Sequence, residues 1–280
     1  MSDLRLDSTQ LERYSRHVIM DEVGPDGQQR LLDGSVLVVG AGGLGSPAIQ
    51  YLAAAGVGRL GIVDDDVVDR SNLQRQIIHG DDDVGRKKVD SAAAFVHALN
   101  PDVDVDKHST RLTPENVANL VDPYDIVLDA SDNFATRYLL NDYCVLTETP
   151  LSHGAIYRFE GQVTTFTNGA GVTNPDETPC YRCLFPEAPE PGTVPDCATT
   201  GVLGVLPGTV GCIQATEVVK LLLETGEVLE GRLLLYDAMD MTFETVDMLP
   251  NPDCPVCGTE PAIDSIHDVS YDETCSISAD

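Results

Sequence analysis

Three glycines in the stretch VVGAGGLG, residues 38–45, have the spacing of a phosphate-binding turn. Gly40, Gly42 and Gly45 fit the pattern G-x-G-x-x-G, in which backbone N–H groups at the start of a helix face an anionic phosphate. An acidic residue about 20 positions further on commonly holds the ribose hydroxyls, and Asp64 stands 19 residues after Gly45. These features predict a nucleotide site, but the glycines alone do not distinguish a dinucleotide from a nucleoside triphosphate.

Basic residues are concentrated directly after Asp64, although the chain as a whole is strongly acidic. The formal net charge is -29, from 46 acidic and 17 basic residues. An anionic protein needs local cations to hold a polyanion, and a triphosphate needs more of them than a dinucleotide does. The alternative is that these side chains are solvated charges on a helix surface. Five of the 17 bases lie in residues 70–88: Arg70, Arg75, Arg86, Lys87 and Lys88.

Asp132 follows an apolar stretch, YDIVLDAS, that predicts a buried strand over residues 124–131. A carboxylate at the carboxyl end of such a strand can hold the Mg²⁺ of a bound triphosphate. An N-cap of the following helix is an equally good interpretation of Asp132. No G-x-x-x-x-G-K-[ST] pattern occurs in the sequence, which excludes a P-loop enzyme.

Four of the eight cysteines form two C-x-x-C pairs, Cys180 with Cys183 and Cys254 with Cys257. Four thiolates make the closed tetrahedral set of a structural Zn²⁺ site. Because 70 residues separate the pairs, the metal would join a proline-rich loop to the C-terminal strands. Two redox-active dithiols, or four plain free cysteines, are the alternatives.

The elements that must position these residues alternate between strand and helix, which predicts a doubly wound, Rossmann-like α/β sheet with a parallel N-terminal part. The pattern SHGAIYRFEGQVTTFT, residues 152–167, alternates as antiparallel strands do and predicts an antiparallel C-terminal extension. We predict a helical segment over residues 1–34, a main domain over 35–258 with a crossover loop at about 175–207, and a loose acidic tail over 259–280. Acidic charge spread along the whole chain disfavours nucleic-acid and membrane partners. The acidic composition also suits a salt-loving organism. Because the sequence has no apolar leader, we expect a cytoplasmic protein.

Several of these motifs occur together in the order typical of one family: RYSRH, GAGGLGSP, SNLQRQ, VGRKKV, DASDN, CYRC and CPVCG. The chain resembles the ubiquitin-activating-enzyme superfamily in its single-domain form, the adenylyltransferases of molybdopterin-synthase and thiamine-type sulfur carriers. Within this superfamily, the acidic composition makes the chain resemble the archaeal activators of small ubiquitin-like modifiers in particular. The resemblance covers about residues 10 to 258.

The resemblance implies a role for each matching residue. Gly43 would let ATP approach the backbone, Asp64 would bind the ribose, and Asp132 would bind Mg²⁺. Arg16 of RYSRH would reach the ATP of a partner in a homodimer. Cys197, on the crossover loop, would accept the activated acyl group as a thioester or take part in sulfur transfer, and the alternative is a bystander cysteine. The remaining implied nucleotide contacts are Ser71, Asn72, Leu73, Gln74, Arg75, Lys88 and Asn133.

The resulting hypothesis is ATP-dependent adenylation of the C-terminal glycine of a small β-grasp carrier protein, with loss of pyrophosphate. Transfer to a thiol or sulfur acceptor would follow, with sulfur from a separate donor, and would serve protein modification, molybdenum cofactor synthesis or tRNA thiolation. An NAD-dependent oxidoreductase is the alternative from another class, since Gly40, Gly42, Gly45 and Asp64 also satisfy that fingerprint. A non-catalytic, zinc-braced carrier-binding module is the third possibility.

Overall fold

One eight-stranded sheet runs through the part of the protein that the computed structural model describes, residues 6–168, 178–189 and 200–271. In chain order its strands are β1 (Ser35–Val39), β2 (Arg59–Val63), β3 (Asp104–His108), β4 (Ile126–Asp129), β5 (Leu151–Tyr157), β6 (Glu160–Phe166), β7 (Arg232–Asp237) and β8 (Thr242–Asp247). Across the sheet they lie in the order β3-β2-β1-β4-β5-β6-β7-β8.

Helices flank this sheet. They are α1 (Ser8–Arg13), α2 (Ser15–Val18), α3 (Gly24–Asp33), α4 (Gly45–Ala55), α5 (Lys88–Leu99), α6 (Val117–Val121), α7 (Phe134–Leu146), α8 (Tyr181–Leu184) and α9 (Leu206–Leu223). Short 3₁₀ helices occupy Arg70–Asn72, Asp81–Asp83 and Ile266–Asp268.

The strands divide into a parallel and an antiparallel half, as the sequence predicted. β1 to β5 pair in parallel, and β6, β7 and β8 each pair antiparallel to the preceding neighbour. The predicted fold class is therefore confirmed. β1 lies between β2 and β4. The connections from β1 to β3 run towards one edge of the sheet and those from β4 onwards run towards the other, so a crevice opens between the carboxyl ends of β1 and β4.

Apolar clusters cover both faces of the parallel half. Val36 and Val38 of β1 pack on one face with α4, α5 and α9, whereas Leu37 and Val39 pack on the other with α6 and α7. Alternate residues of a strand point to opposite faces, so a continuous apolar run is what a strand covered on both sides requires.

Helix α9 and the chain after residue 259 differ from expectation. The apolar stretch over residues 208–225, followed by Gly226, predicts a helix that ends at residue 225. The observed helix ends two residues earlier, because Glu224 takes up the left-handed C-cap conformation and its N–H bonds the carbonyls of the last turn. α9 is also the one helix among the described residues long and apolar enough to cross a membrane, and half of it is buried within the protein. Residues 259–271 pack against the domain with Ile263 fully buried, whereas we expected a loose tail there.

Candidate nucleotide site and cysteine cluster

The glycine turn lies at the crevice between β1 and β4. The N–H of Gly40 donates to the carbonyl of Val63 at the end of β2, at 2.8 Å. Gly40 has a φ of +104°, and a Cβ there would lie 2.6 Å from the carbonyl oxygen of Ala130, directly after β4. A Cβ on Gly45 would lie 1.9 Å from the oxygen of Gly40. Glycine is therefore required at both positions for the turn to connect β1 with α4.

The first turn of α4 has backbone donors that no N-cap side chain satisfies. Its N-cap residue is Leu44, which makes no side-chain capping bond. The N–H of Ser46 donates to the carbonyl of Gly42 at 2.9 Å and Pro47 has no N–H, so Gly45 supplies the donor of this turn that has no partner among the described residues. Such a donor and the positive end of the helix dipole form an anion site at a helix N-terminus. Gly43 lies beside it, and a Cβ on Gly43 would be 3.1 Å from Cβ of Pro207 and 3.8 Å from Cδ of Arg75. The glycine turn, the start of α9 and Arg75 therefore meet at one place.

The carboxylate of Asp64 is tied directly to the glycine turn. One oxygen accepts the N–H of Ala41 at 2.8 Å, and the other accepts the N–H of Asp66 at 2.9 Å. Burial raises the pKa of Asp64 above its usual value, although Lys88 and the two backbone donors oppose that shift. These contacts fix the orientation of the carboxylate at the end of β2, where a ribose-binding acid is expected.

Lys88 is the first residue of α5, and its side chain is only 7% exposed. Its Nζ donates to Asp66 Oδ2 at 2.8 Å, and its charge lowers the pKa of Asp64. Lys88 is thus a buried cation beside the glycine turn and not a solvated charge on a helix surface.

The turn SNLQRQ faces the same crevice. Arg75 donates to the carbonyl of Ser71 at 3.2 Å, while its aliphatic part lies against Gly43. Gly204, just before α9, packs closely on the backbone of Gln74, where an added Cβ would lie 2.4 Å from the carbonyl oxygen. The Asn72 amide oxygen accepts the N–H of Asp69 at 3.0 Å, so it also closes the turn. Leu73 is partly buried.

Asp132 and Asn133 have different local roles after β4. The side chain of Asn133 is the N-cap of α7, since its oxygen accepts the N–H of Thr136 at 2.8 Å. The capping function that the sequence left open for Asp132 thus belongs to its neighbour. Asp132 is exposed directly after β4, and its carboxylate makes no hydrogen bond to the described residues.

The contacts of the described residues do not bring Arg16 to this crevice. Arg16 is exposed on α2, whose main packing partners among the described elements are α1 and α3. Cys197 lies outside the described residues, which resume at Thr200.

A buried polar network beneath the crevice was missed by the sequence analysis. Asp129, the last residue of β4, is fully buried and accepts from His153 Nδ1 at 2.8 Å and from the N–H of Ser131 at 3.0 Å. Arg137 lies 3.8 Å from the same carboxylate. Burial opposes ionisation of Asp129, but His153, Arg137 and Ser131 hold its pKa below the usual range. The acid within the apolar run IVLD was the available signal, since a buried acid needs a partner.

The sulfur atoms of the two C-x-x-C pairs converge. All four lie within 4.8 Å of one another, with 3.6 Å between Cys180 and Cys254 and 3.4 Å between Cys183 and Cys257. Zn–S bonds of about 2.3 Å in a tetrahedron would separate the sulfurs by roughly 3.8 Å. None of the four is in a disulfide. The cluster is compatible with one tetrahedral metal ion and fits two separate dithiols poorly.

A buried ion pair joins the first C-x-x-C segment to α7. Arg182, between the two cysteines, is 1% exposed, and Asp142 of α7 is completely buried. Nε and Nη2 of Arg182 each donate to a different oxygen of Asp142 at 2.7 Å. The hydroxyl of Tyr271 donates to the same carboxylate at 2.8 Å, so residues beyond 259 belong to this assembly.

Comparison with known proteins agrees with this geometry. Residues 14–256 match the family described as the ThiF family. The chain is 69% identical to the SAMP-activating enzyme E1 of Haloferax volcanii, over 99% of each chain. It is 50% identical to a sulfur carrier protein adenylyltransferase of Thermus thermophilus, over 98% of this chain and all of the relative. A probable adenylyltransferase/sulfurtransferase MoeZ of Mycobacterium tuberculosis is 48% identical, and there the chain covers 67% of the relative.

Solved structures with lower sequence identity show the same fold. The crystal structure of E. coli MccB with ATP superposes with a TM-score of 0.74 at 21% identity, over 88% of this chain and 74% of that chain. None of the three relatives above is named as an NAD-dependent enzyme, so the oxidoreductase alternative has no support from them.

Proposed function

The chain belongs to the ThiF family, and we propose that it adenylates the C-terminal carboxylate of a small ubiquitin-like carrier protein. The observation that carries the proposal is the meeting of Lys88, Arg75 and the free N-terminus of α4 at one crevice, in a protein of net charge -29. Such a local concentration of positive charge suits a triphosphate. The relatives are named as activators of carrier proteins, which supports the same class of substrate.

In this proposal ATP occupies the β1–β4 crevice, and its ribose hydroxyls bind Asp64. Its phosphates bind the N-terminus of α4, Lys88 and the segment Ser71–Arg75, while Asn133 orders the loop beside them. Asp132, exposed at the carboxyl end of β4, holds Mg²⁺. The ion would neutralise phosphate charge during substitution at phosphorus.

The reaction follows from this placement. A carboxylate oxygen of the carrier's last glycine attacks the α-phosphorus of ATP, and the bond from that phosphorus to the bridging oxygen of the β-phosphate breaks. Pyrophosphate leaves, and a carboxylic–phosphoric mixed anhydride remains on the carrier. Lys88 and Arg75 stabilise the negative charge on the phosphate oxygens, and positioning of the two reactants supplies the rest of the rate enhancement.

The acyl-adenylate then passes to a sulfur nucleophile. We propose Cys197 as one acceptor: its thiolate attacks the acyl carbon, AMP leaves and a thioester forms. A separate sulfur donor would give a thiocarboxylate instead. Protein modification, molybdenum cofactor synthesis and tRNA thiolation are the processes that such products serve in this family, and the names of the relatives support both activation and sulfur transfer.

Three further features belong to the proposal. Cys180, Cys183, Cys254 and Cys257 hold a structural Zn²⁺, which their converging sulfurs support. The protein forms a homodimer in which Arg16, exposed on α2, reaches the partner's nucleotide. The catalytic domain comprises residues 35–258, in a cytoplasmic protein whose six described cysteines are all free of disulfides.

Mass spectrometry of the carrier tests the reaction directly. The protein, ATP and Mg²⁺ are mixed with a carrier ending in Gly-Gly, and we expect an adenylated carrier that the same carrier without its last glycine does not form. Lys88→Met should abolish the adduct. Lys107→Met is the matched control, because Lys107 pairs with Asp90 at 2.6 Å on the exposed edge strand β3. Equal loss in both variants, or an unmodified carrier in all samples, would contradict the proposal.

A further inference from the structure

His79 is a buried histidine that links α5 to the glycine turn. It follows the SNLQRQ turn and is 6% exposed. Its Nε2 lies 2.9 Å from the carbonyl oxygen of Ala41, and its Nδ1 lies 2.8 Å from the hydroxyl of Ser91. Because a carbonyl can only accept, Nε2 must carry a proton. In the neutral ring Nδ1 then accepts from Ser91, so one tautomer is selected.

Ala41 continues this chain of hydrogen bonds to Asp64. Ala41 is completely buried, its carbonyl accepts from His79, and its N–H donates to Asp64 Oδ2 at 2.8 Å. The carbonyl of Ala41 is therefore held by His79, and its N–H is held by Asp64. The orientation of the Asp64 carboxylate depends on where that residue lies, and His79 is the side chain that fixes it.

We propose that His79 is a positioning residue for ribose recognition. Through Ala41 it aligns the carboxylate of Asp64 with the ribose hydroxyls of the nucleotide. It does not touch the nucleotide itself. The inference rests on the proposed function only in placing the ribose at Asp64.

The surroundings of His79 suit a neutral, orienting ring. Burial and the charge of Lys88 lower the pKa of His79, while its hydrogen bond to the Ala41 carbonyl and the carboxylates of Asp83 and Asp64 oppose that shift. A neutral imidazole donates to Ala41 through one nitrogen and accepts from Ser91 through the other, so both ring nitrogens are satisfied. A supporting hydrogen bond of this kind fixes the direction of a ligand-binding group without adding a charge to the site.

The test compares ATP with 2′-deoxyATP, because only the first offers the 2′-hydroxyl to Asp64. Affinities are measured by calorimetry on the full-length protein without a carrier. A hydrogen bond to a charged group implies that the wild type prefers ATP on the order of tenfold. His79→Asn keeps a polar group near Nδ1 but loses the donor to Ala41, and its preference should fall to about onefold, mainly through weaker ATP binding.

His79→Gln is the conservative rescue, since its amide nitrogen can reach the position of Nε2 and donate to Ala41. It should keep most of the preference for ATP. His97→Asn is the matched control, because His97 is exposed on α5 and the same change there should leave the ratio unaltered. Asp64→Ala gives the ratio expected when ribose recognition is lost.

Three results would overturn the inference. One is a His79→Asn variant that keeps the wild-type ratio of ATP to 2′-deoxyATP affinity but has a lower melting temperature, which is what a purely structural residue produces. Another is a His79→Gln variant that loses as much of its preference for ATP as His79→Asn does. If His79→Asn does not fold, Ser91→Ala leaves Nδ1 without its partner and should lower the ratio partway, and an unchanged ratio there also refutes the idea. Failure of adenylation leaves this ratio measurable, so the two hypotheses fail separately.

Discussion

Replacing Asp142 by asparagine is expected to destabilise the protein strongly, because it removes the carboxylate that pairs with a buried guanidinium. Arg182 is 1% exposed and donates two 2.7 Å hydrogen bonds to Asp142. It also contacts the carbonyl of Pro186 at 3.1 Å and the ring of Tyr138, whose centroid lies 4.6 Å from the guanidinium carbon. Neither a carbonyl nor a neutral ring balances the positive charge, whereas the carboxylate of Asp142 does.

The size of the effect follows from this burial. Removing one partner of a buried ion pair costs about 3–5 kcal/mol. Asparagine retains one acceptor oxygen, so the lower end, about 3 kcal/mol, is expected for Asp142→Asn. At about 2–4 °C for each kcal/mol, the melting temperature should fall by roughly 6–12 °C. The double variant Asp142→Leu with Arg182→Met should recover much of this loss, since no unpaired charge remains.

Urea unfolding followed by far-ultraviolet circular dichroism, with excess zinc, measures the change. The sequence contains no tryptophan, so intrinsic fluorescence is a poor probe. Asp90→Asn is the matched control, because its partner Lys107 is about half exposed and solvent screens that pair. A loss for Asp142→Asn no larger than for Asp90→Asn would refute the reasoning, as would a double variant less stable than either single one.

Cys197, the two buried histidines and the net charge each give one further prediction. Cys197→Ser should still form the carrier adenylate but no conjugate that reducing agents release, and a surviving reducible conjugate on denaturing gels would exclude Cys197 as the acceptor. Burial lowers the folded-state pKa of both His79 and His153 below the unfolded value of about 6.5, so the unfolded state binds more protons there. The free energy of unfolding should therefore fall from pH 6.5 to 5.5, by at most about 1 kcal/mol per histidine, and denaturation curves with no decline contradict this. With a net charge of -29, the melting temperature should rise between 0.1 M and 1 M KCl as the Debye length shrinks from about 10 to 3 Å, and a constant value would be the contrary result.

Local features of the sequence predicted the elements nearest the site well. The apolar stretches SVLVV (35–39) and RLGIVD (59–64), on either side of the glycine turn, predict one β-α-β unit from local sequence alone, and β1, α4 and β2 form that unit. The two C-x-x-C pairs likewise carry their chemistry in their own spacing, and their sulfurs converge as expected.

What escaped prediction depends on residues far apart in the chain. His79 bonds Ala41 across 38 positions, and Arg182 pairs with Asp142 across 40. No local pattern distinguishes such a histidine or arginine from an exposed one, because only the folded sheet brings the partners together. Asp132 illustrates the same limit. The sequence offered Asp132 as a helix cap, but its neighbour Asn133 caps α7 and leaves the Asp132 carboxylate outside the cap.

Isotope exchange between pyrophosphate and ATP tests the central claim most directly, because only reversible attack at the α-phosphorus can produce it. With a Gly-Gly carrier present, the wild type should incorporate labelled pyrophosphate into ATP. Asp132→Ala should remain folded and lose that exchange, since its carboxylate is exposed and caps no helix. Exchange at the wild-type rate in Asp132→Ala would contradict the assignment of that carboxylate. Absence of carrier-dependent exchange in the wild type would contradict adenylation itself.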